Sequence, residues 1–390
     1  MADREKMHLA VEALVCNLIA AYQIGSTALL HIPLANDVLR GTPRYRSPVY
    51  GVHFRNLIAL LESLGLIRFV TKGYNVRKWR RREITTIRPT TALRKAFPAL
   101  VTEKPGSLTQ VDPAETVVLK DQSGRLVAYP ETHSTRRWRV EMRAINASLR
   151  NASISLAGRN RVIDDDGFAA RLNARTLRRI WNNGDWEQGG RLYDGFWQTM
   201  RREERLPAIR LNNTRVANVD FCQFNLRLAY ALAKVTPPRG DLYDVSGTDS
   251  VRRDWKQLRE GRKKLTNAMF NAKAPLRRWP GKTERERQAV ASFFPAGITA
   301  TDATEAIRAK HAAVAGYFER GYGLRFMRIE SDILVAVLLD LIKRGITALP
   351  LHDAVLVQER NAKTAKRTME REAKRRIGTV IPAQITMALC

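Results

Sequence analysis

The chain is poor in acid, in cysteine and in long apolar runs. Its 390 residues carry 38 Asp and Glu against 67 Lys and Arg, a formal net charge of +29. A hydrophobic content of 44% excludes a disordered polycation and suffices for two or three domains with cores of their own. A folded protein this basic is expected to meet a polyanion, nucleic acid above all. The three cysteines, Cys16, Cys222 and Cys390, form no CxxC pair and no zinc spacing. That excludes a disulfide framework and fits a reducing compartment, so a cytoplasmic protein of the bacterial cytosol or nucleoid is expected. No run of ~18 apolar residues occurs, so no membrane-spanning helix and no membrane partner are expected.

Residues 8–23 read as a helix, followed by the breakers Pro33, Gly41, Pro43 and Pro48. Residues 50–65 place Val52, Leu57, Ile58, Leu60, Leu61 and Leu64 at helical spacing and stop at Gly65. Then come the strand Leu66–Val70, a Lys72-Gly73 turn, Tyr74–Val76, the basic run Arg77, Lys78, Arg80, Arg81 and Arg82, and a strand Ile84–Ile87. Helix, glycine stop and arginine-rich hairpin resemble a winged helix-turn-helix over residues 1–100. The resemblance implies a helix in a groove and a wing on phosphates. Residues 101–135, rich in Pro, Thr, Ser and Gly, read as a linker or extended arm. Residues 136–185 read as helical and strongly basic, interrupted by Asp164-Asp165-Asp166, which reads as a helix cap or turn because consecutive residues share no face.

Chemistry is expected from two acidic segments far apart in the chain. The first is Val219-Asp220-Phe221-Cys222-Gln223-Phe224-Asn225-Leu226-Arg227, where a short apolar strand gives way to a helix. The second is Leu349-Pro350-Leu351-His352-Asp353-Ala354-Val355, which reads as a hairpin. Carboxylates at strand ends can hold two Mg²⁺ ions, Mn²⁺ being the substitute, and such ions can clamp both oxygens of a phosphoryl transfer. Between the two segments, Arg259, Lys263, Asn267 and Asn271 recur every fourth residue, one stripe of a helix and a fit for a nucleotide triphosphate. Asp241 and Asp244 read as turn residues, further metal carboxylates being the alternative. Trp181, Trp186, Tyr193 and Trp197 read as core, with stacking on bases the alternative.

In this order the segments resemble family A DNA polymerases. Asp220-Phe221-Cys222-Gln223-Phe224-Asn225-Leu226-Arg227 is similar to that family's Asp-Tyr-Ser-Gln-Ile-Glu-Leu-Arg. Gly190-Arg191-Leu192 is similar to its Thr-Gly-Arg-Leu-Ser segment. The Arg259 to Asn271 stripe, followed by Ala272, is similar to its fingers helix, Arg-x-x-x-Lys-x-x-x-Phe-x-x-x-Tyr-Gly. Leu351-His352-Asp353-Ala354-Val355 is similar to Val-His-Asp-Glu-Ile, and single-subunit phage-type RNA polymerases share His-Asp followed by a small residue.

The resemblance implies an α+β fold: a right-hand palm with helical fingers and a reduced thumb over residues 136–390, behind the winged-helix-like module. It implies a compact DNA polymerase without proofreading, serving replication or repair in a cell or a mobile element. Asp220 and Asp353, with the Phe221 carbonyl, would hold metal, and Lys263 would be catalytic. Arg259, Lys263, Asn267, Asn271, Gln223 and Asn225 would bind the nucleotide. Arg191, Gly190, His352 and Arg227 would bind the DNA primer-template. Three departures stand out: the family's Glu is Asn225, its Phe and Tyr are Asn267 and Asn271, and the acid after His-Asp is Ala354. Smaller amides near the sugar put DNA-only synthesis in doubt, so dNTPs are the expected substrates with NTPs an alternative. The rivals are an RNA polymerase or primase, and a DNA-binding initiator or regulator with an inactive palm.

Overall fold

The computed structural model describes residues 2–24, 29–34, 39, 42–47, 49–73, 75–76, 81–82, 85–98, 113–157, 174–247 and 254–388. Helices and strands are mixed along the chain, which divides into two units. One comprises Met1–Arg179, Tyr193–Val216 and Met387–Cys390, the other Ile180–Leu192 and Ala217–Thr386.

The first unit opens with helix α1 (Ala2–Ile24), which buries Ala10, Leu14, Leu18 and Ala21, one helical stripe. After β1 (Leu30–His31) comes α2 (Val52–Ser63), burying Phe54, Leu57, Ile58 and Leu61. Gly65, at φ +67°, closes α2: Leu66 N–H reaches back to the Leu61 carbonyl (3.0 Å) and Gly65 N–H to Glu62 (2.9 Å). Those two bonds satisfy carbonyls that a helix end leaves open, and the left-handed turn suits glycine. The chain continues through β2 (Ile67–Thr71), β3 (Asn75–Val76), β4 (Arg81–Arg82), β5 (Thr86–Pro89) and α3 (Thr91–Ala96). Strands β1, β5 and β2 form an antiparallel sheet in that order, while β3 and β4 pair as a separate hairpin. Leu14, Leu18, Phe54, Leu57, Ile67, Ile87 and Leu93 share one core beneath the sheet.

The described part of 101–135 differs from a bare linker. It carries β6 (Val117–Leu119) and is tied down by Arg44, which pairs with Glu115 (3.2 Å) and Glu131 (2.6 Å) and donates to the Tyr129 carbonyl (2.8 Å). Helix α4 (His133–Asn151) grips the same acids through Arg139, 3.0 Å from Glu115 and 2.7 Å from Glu131. Composition could not show this, because the partners lie far apart in sequence. The expected helix over 136–185 is likewise corrected. Among the described residues of that span only α4 is helical; β7 (Ile154–Leu156) and the start of β8 (Arg178–Asn182) are strands. The Asp164–Asp166 run and the basic residues Arg77, Lys78 and Arg80 lie outside the described residues.

In the second unit β8 runs on into β9 (Asp185–Tyr193) through Asn183-Gly184, both left-handed. Strand β10 (Ile209–Leu211) leads into β11 (Thr214–Phe221), which enters the second unit from Ala217 onward. Helices α5 (Phe224–Ala233), α6 (Trp255–Asn271), α7 (Glu284–Ala291), α8 (Ala300–Lys310) and α9 (Gly323–Lys343) follow. Phe270 of α6 stacks between Phe318 and Phe326, with ring centroids 4.9 and 5.0 Å apart. Helix α9 is buried almost all round, as its apolar run demands. It delivers the chain to the hairpin β12 (Ala348–Leu351) and β13 (Ala354–Gln358), then α10 (Ala362–Ile377) and β14 (Ala383–Thr386). Within this unit the antiparallel sheet runs β12, β13, β11, β14, and every residue of β13 is buried.

Candidate active site

Asp220 stands near the end of β11, opposite Gln384 of β14. Asp353 is the second residue of the two-residue turn that joins β12 to β13, where Leu351 faces Ala354. Because β13 lies beside β11, the Phe221 N–H meets the Asp353 carbonyl at 3.4 Å. One backbone contact thus draws together two acids that are 133 positions apart in sequence. The turn is tight: His352 adopts φ +59°, a left-handed conformation that histidine tolerates better than most residues. Gln223, just beyond Asp220, is also left-handed at φ +55° and starts α5.

Burial pushes the Asp353 carboxyl up from the usual range, while the charges of Arg191 and Lys263 pull it back. The Cys222 thiol is raised by burial and then by Asp220, and is lowered by Arg227, Lys366 and Arg259. Cys222, two residues past Asp220, thus lies among basic groups.

Arg191 is not a loose cation. Its Nε and Nη2 donate to both carboxylate oxygens of Glu330 at 2.6 and 2.8 Å. Glu330 is fully enclosed in α9, and burial pushes its carboxyl up to about 7 against the pull of Arg191, with Asp353 adding a further push upward. Gly190 makes the approach possible. A Cβ there would lie 2.9 Å from Ser331 Oγ and 3.1 Å from Trp181 Nε1, and its φ is +81°. Its glycine is thus explained by the close passage of β9 under α9.

A second polar chain runs from α5 to α6. Arg227 Nη2 donates to Gln223 Oε1 (3.2 Å), Gln223 Nε2 to Asp241 Oδ1 (2.7 Å), and Arg259 Nε to Asp241 Oδ2 (2.5 Å). Asp241 also accepts from Tyr243 N–H (2.8 Å), and the Arg259 guanidinium lies 5.2 Å from the Tyr243 ring centroid. Asp244 closes a turn by accepting from Gly247 N–H (2.8 Å). The loop is anchored from behind by buried His311, which bridges Tyr230 Oη and the Leu242 carbonyl at 2.9 Å each. Burial holds the His311 ring below its ordinary value, so it stays neutral and serves both bonds.

The α6 stripe divides into two pairs with different duties. Arg259 and Lys263 belong to the charged cluster. Asn267 accepts from Asn225 Nδ2 at 2.9 Å across to α5. Asn271 instead turns back on its own helix, donating to the Asn267 carbonyl (2.7 Å), and its Oδ1 lies 2.0 Å from where a Cβ on Gly323 would stand. The four residues share a stripe, but only Asn267 bonds Asn225.

Sequence reasoning passed over one residue that organises this site, Glu330, whose signal was an acid inside the apolar run of α9. Asp241, read as a turn residue, does accept from Tyr243 N–H in the turn and also joins Gln223 to Arg259. Trp181 and Trp197 are wholly buried and serve as core. Among the described residues, no three His, Cys, Asp or Glu side chains converge as a metal cluster. Also among them, no helix is long and apolar enough to cross a membrane.

No protein-family model matches the chain, and no curated protein does. Among solved structures the chain is similar to the POL domain of Pol1 from M. smegmatis in complex with DNA primer-template and dNTP. The identity is 10%, the TM-score 0.38, and the match covers 65% of this chain and 50% of that one. The chain thus spans about half the length of that neighbour.

Proposed function

We propose that this protein is a template-dependent nucleotidyltransferase, a compact DNA polymerase acting in replication or repair. The observation that carries the reading is the Phe221–Asp353 backbone contact, which sets Asp220 and Asp353 at adjacent strand ends, with the charges of Arg191 and Lys263 favouring the ionised form of the second acid. The reaction would be attack of a primer 3′-OH on an α-phosphate with release of pyrophosphate.

The donor set fits Mg²⁺, with Mn²⁺ as a substitute. Carboxylates are the hard oxygen donors this ion takes, and a carboxyl raised by burial is a group that a dication would return to its charged form. Asp220, Asp353 and the Phe221 carbonyl would hold two ions, which when bound supply charge neutralisation at the reacting phosphates. Lys263 and Arg259 bind the triphosphate, Asp241 fixes Arg259 and Gln223, and Arg191 positions the primer terminus from its seat on Glu330. Most of the rate enhancement then comes from positioning and fixed charge. The sheet order β1-β5-β2 with α1, α2 and the β3–β4 hairpin supports a winged-helix-like module over residues 1–100 that grips DNA. Residues 136–390 would form palm, fingers and a reduced thumb.

A second reading, an RNA polymerase or primase, is supported by Asn225, which stands where the resembling motif has a larger Glu and whose Nδ2 donates to Asn267. An inactive initiator is disfavoured because Asp220, Asp353 and Lys263 are all present.

The test is primer extension with dNTPs and NTPs in parallel. Asp220→Asn and Asp353→Asn should each lower incorporation on the order of 10³-fold while leaving DNA affinity nearly unchanged. Extension near the wild-type rate by either variant would overturn the assignment.

A further inference from the structure

Away from the two acids, the first unit holds a groove of about 490 Å³ between α4 and residues 113–116. Its α4 wall presents Arg136, Arg139, Arg143 and Arg150, spaced by three, four and seven residues and therefore on one face. From Arg136 to Arg150 the face runs about 21 Å at 1.5 Å per residue.

These arginines differ in their partners. Arg139 lies at the floor, committed to Glu115 and Glu131. Glu115 is itself buried and shared with Arg44, so the floor presents no spare negative charge. On the rim, Arg136 and Arg143 are exposed and have no acidic partner among the described residues; Arg150 is exposed at the far end. The other side of α4 is the contrast: there Glu141 lies 3.6 Å from both Arg137 and buried Arg179. The one acid of the helix thus serves that other face, and Arg136 and Arg143 stay without an acid among the described residues. Between the rim arginines Val140 is 55% exposed, apolar surface on which a sugar or base can rest. Asn146 is locked by two bonds to the Leu177 backbone (3.0 and 2.9 Å), so the wall is rigid before anything binds.

We infer that this groove is a separate nucleic-acid grip, in which Arg136 and Arg143 hold one strand by its phosphates. A single phosphate would not fill it. Its volume of about 490 Å³ has room for a stretch of one strand and not for a duplex. Of the proposed function this needs only that the chain meets nucleic acid; it does not need chemistry at Asp220 and Asp353.

The experiment is fluorescence anisotropy of a labelled oligo-dT strand with the full chain across a KCl series, without divalent metal or nucleotide, so that catalysis plays no part. Arg136→Gln/Arg143→Gln should flatten the slope of log K against log salt by about 1.4, two contacts at about 0.7 each for a single strand. Replacing both by Lys should preserve the slope. A thermal melt checks folding; if the double variant does not fold, Arg136→Gln and Arg143→Gln singly should each flatten the slope by about 0.7. An unchanged slope overturns the inference, as does equal flattening by the Lys variant. Flattening on duplex DNA alone overturns the assignment to one strand.

Discussion

Arg191 and Glu330 form a two-bond ion pair, at 2.6 and 2.8 Å, in which the acid is fully enclosed and the base's charge also acts on the Asp353 carboxyl. Such a pair is costly to break from one side, because the surviving charge loses its partner in a dry place. Its role is to aim Arg191.

The first prediction concerns that pair. Glu330→Gln should raise KM for primer-template about 10-fold and disturb kcat less, because Arg191 remains but is no longer aimed. A double-mutant cycle with Arg191→Ala should give a coupling of about 3 kcal/mol in stability. The acid also leaves a pH signature. Its folded value lies near 7, above the ordinary 4.5, so the folded state holds the proton more tightly than the unfolded one. The stability this contributes is whole below about pH 4.5, falls as pH rises toward 7 and is flat beyond, with a slope on the order of 1 kcal/mol per pH unit at most. Urea unfolding should show this slope in the wild type and not in Glu330→Gln; equal slopes would remove Glu330 from the titration.

Asp241 is the shared acceptor of Gln223 and Arg259. Asp241→Ala should free Arg259 from its fixed direction. We expect KM for the incoming nucleotide to rise about 10-fold, the equivalent of one charge-assisted hydrogen bond. Steady-state kinetics with varied nucleotide is the check, and an unchanged KM would place Arg259 outside the triphosphate site.

Sugar tolerance turns on the amides. Asn225 and Asn267 face each other, whereas Asn271 is folded onto its own helix against Gly323. Ribonucleotides should be incorporated more readily than by a polymerase with bulk at these positions. Asn225→Glu should sharpen dNTP preference in kcat/KM by about 10-fold, the effect of one polar or steric contact. Asn271→Tyr should do less, since its ring must first leave the contact with Gly323. Strong dNTP selectivity in the wild type, indifferent to both changes, would place the gate elsewhere.

Arg44 ties residues 43–45 to Glu115, Glu131 and the Tyr129 carbonyl, with its guanidinium 4.0 Å from the Tyr129 ring centroid. Arg44→Ala leaves buried Glu115 with Arg139 alone, and should cost about 2 kcal/mol, read as a lower Tm. Deleting residues 1–100 removes the same anchor. The truncated chain should therefore melt lower than the full chain while keeping residual extension on a primed template, and an unaltered Tm would show that 113–131 stands without the N-terminal module.

Local pattern alone placed the elements that matter most. Apolar periodicity marked α2 and the strand-to-helix break after Asp220 marked α5; the glycine stop marked the end of α2; the four-residue spacing of Arg259, Lys263, Asn267 and Asn271 put them on one helix. Those features depend on neighbours three or four residues away, so a sequence displays them. The charge balance was equally plain, being a sum over residues. What only the tertiary structure decided were pairings across long stretches of chain. It joined Phe221 to Asp353, enclosed Glu330 beneath Arg191, set Asp241 between Gln223 and Arg259, and turned Asn271 away from Asn225 while leaving Asn267 toward it. The linker-like 113–131 became structured for the same reason, its acids meeting arginines from two distant segments. A side chain's partner depends on which strands lie side by side and on how closely backbones pass. Gly190, which lets β9 slip under α9, shows how one missing Cβ settles that question in space.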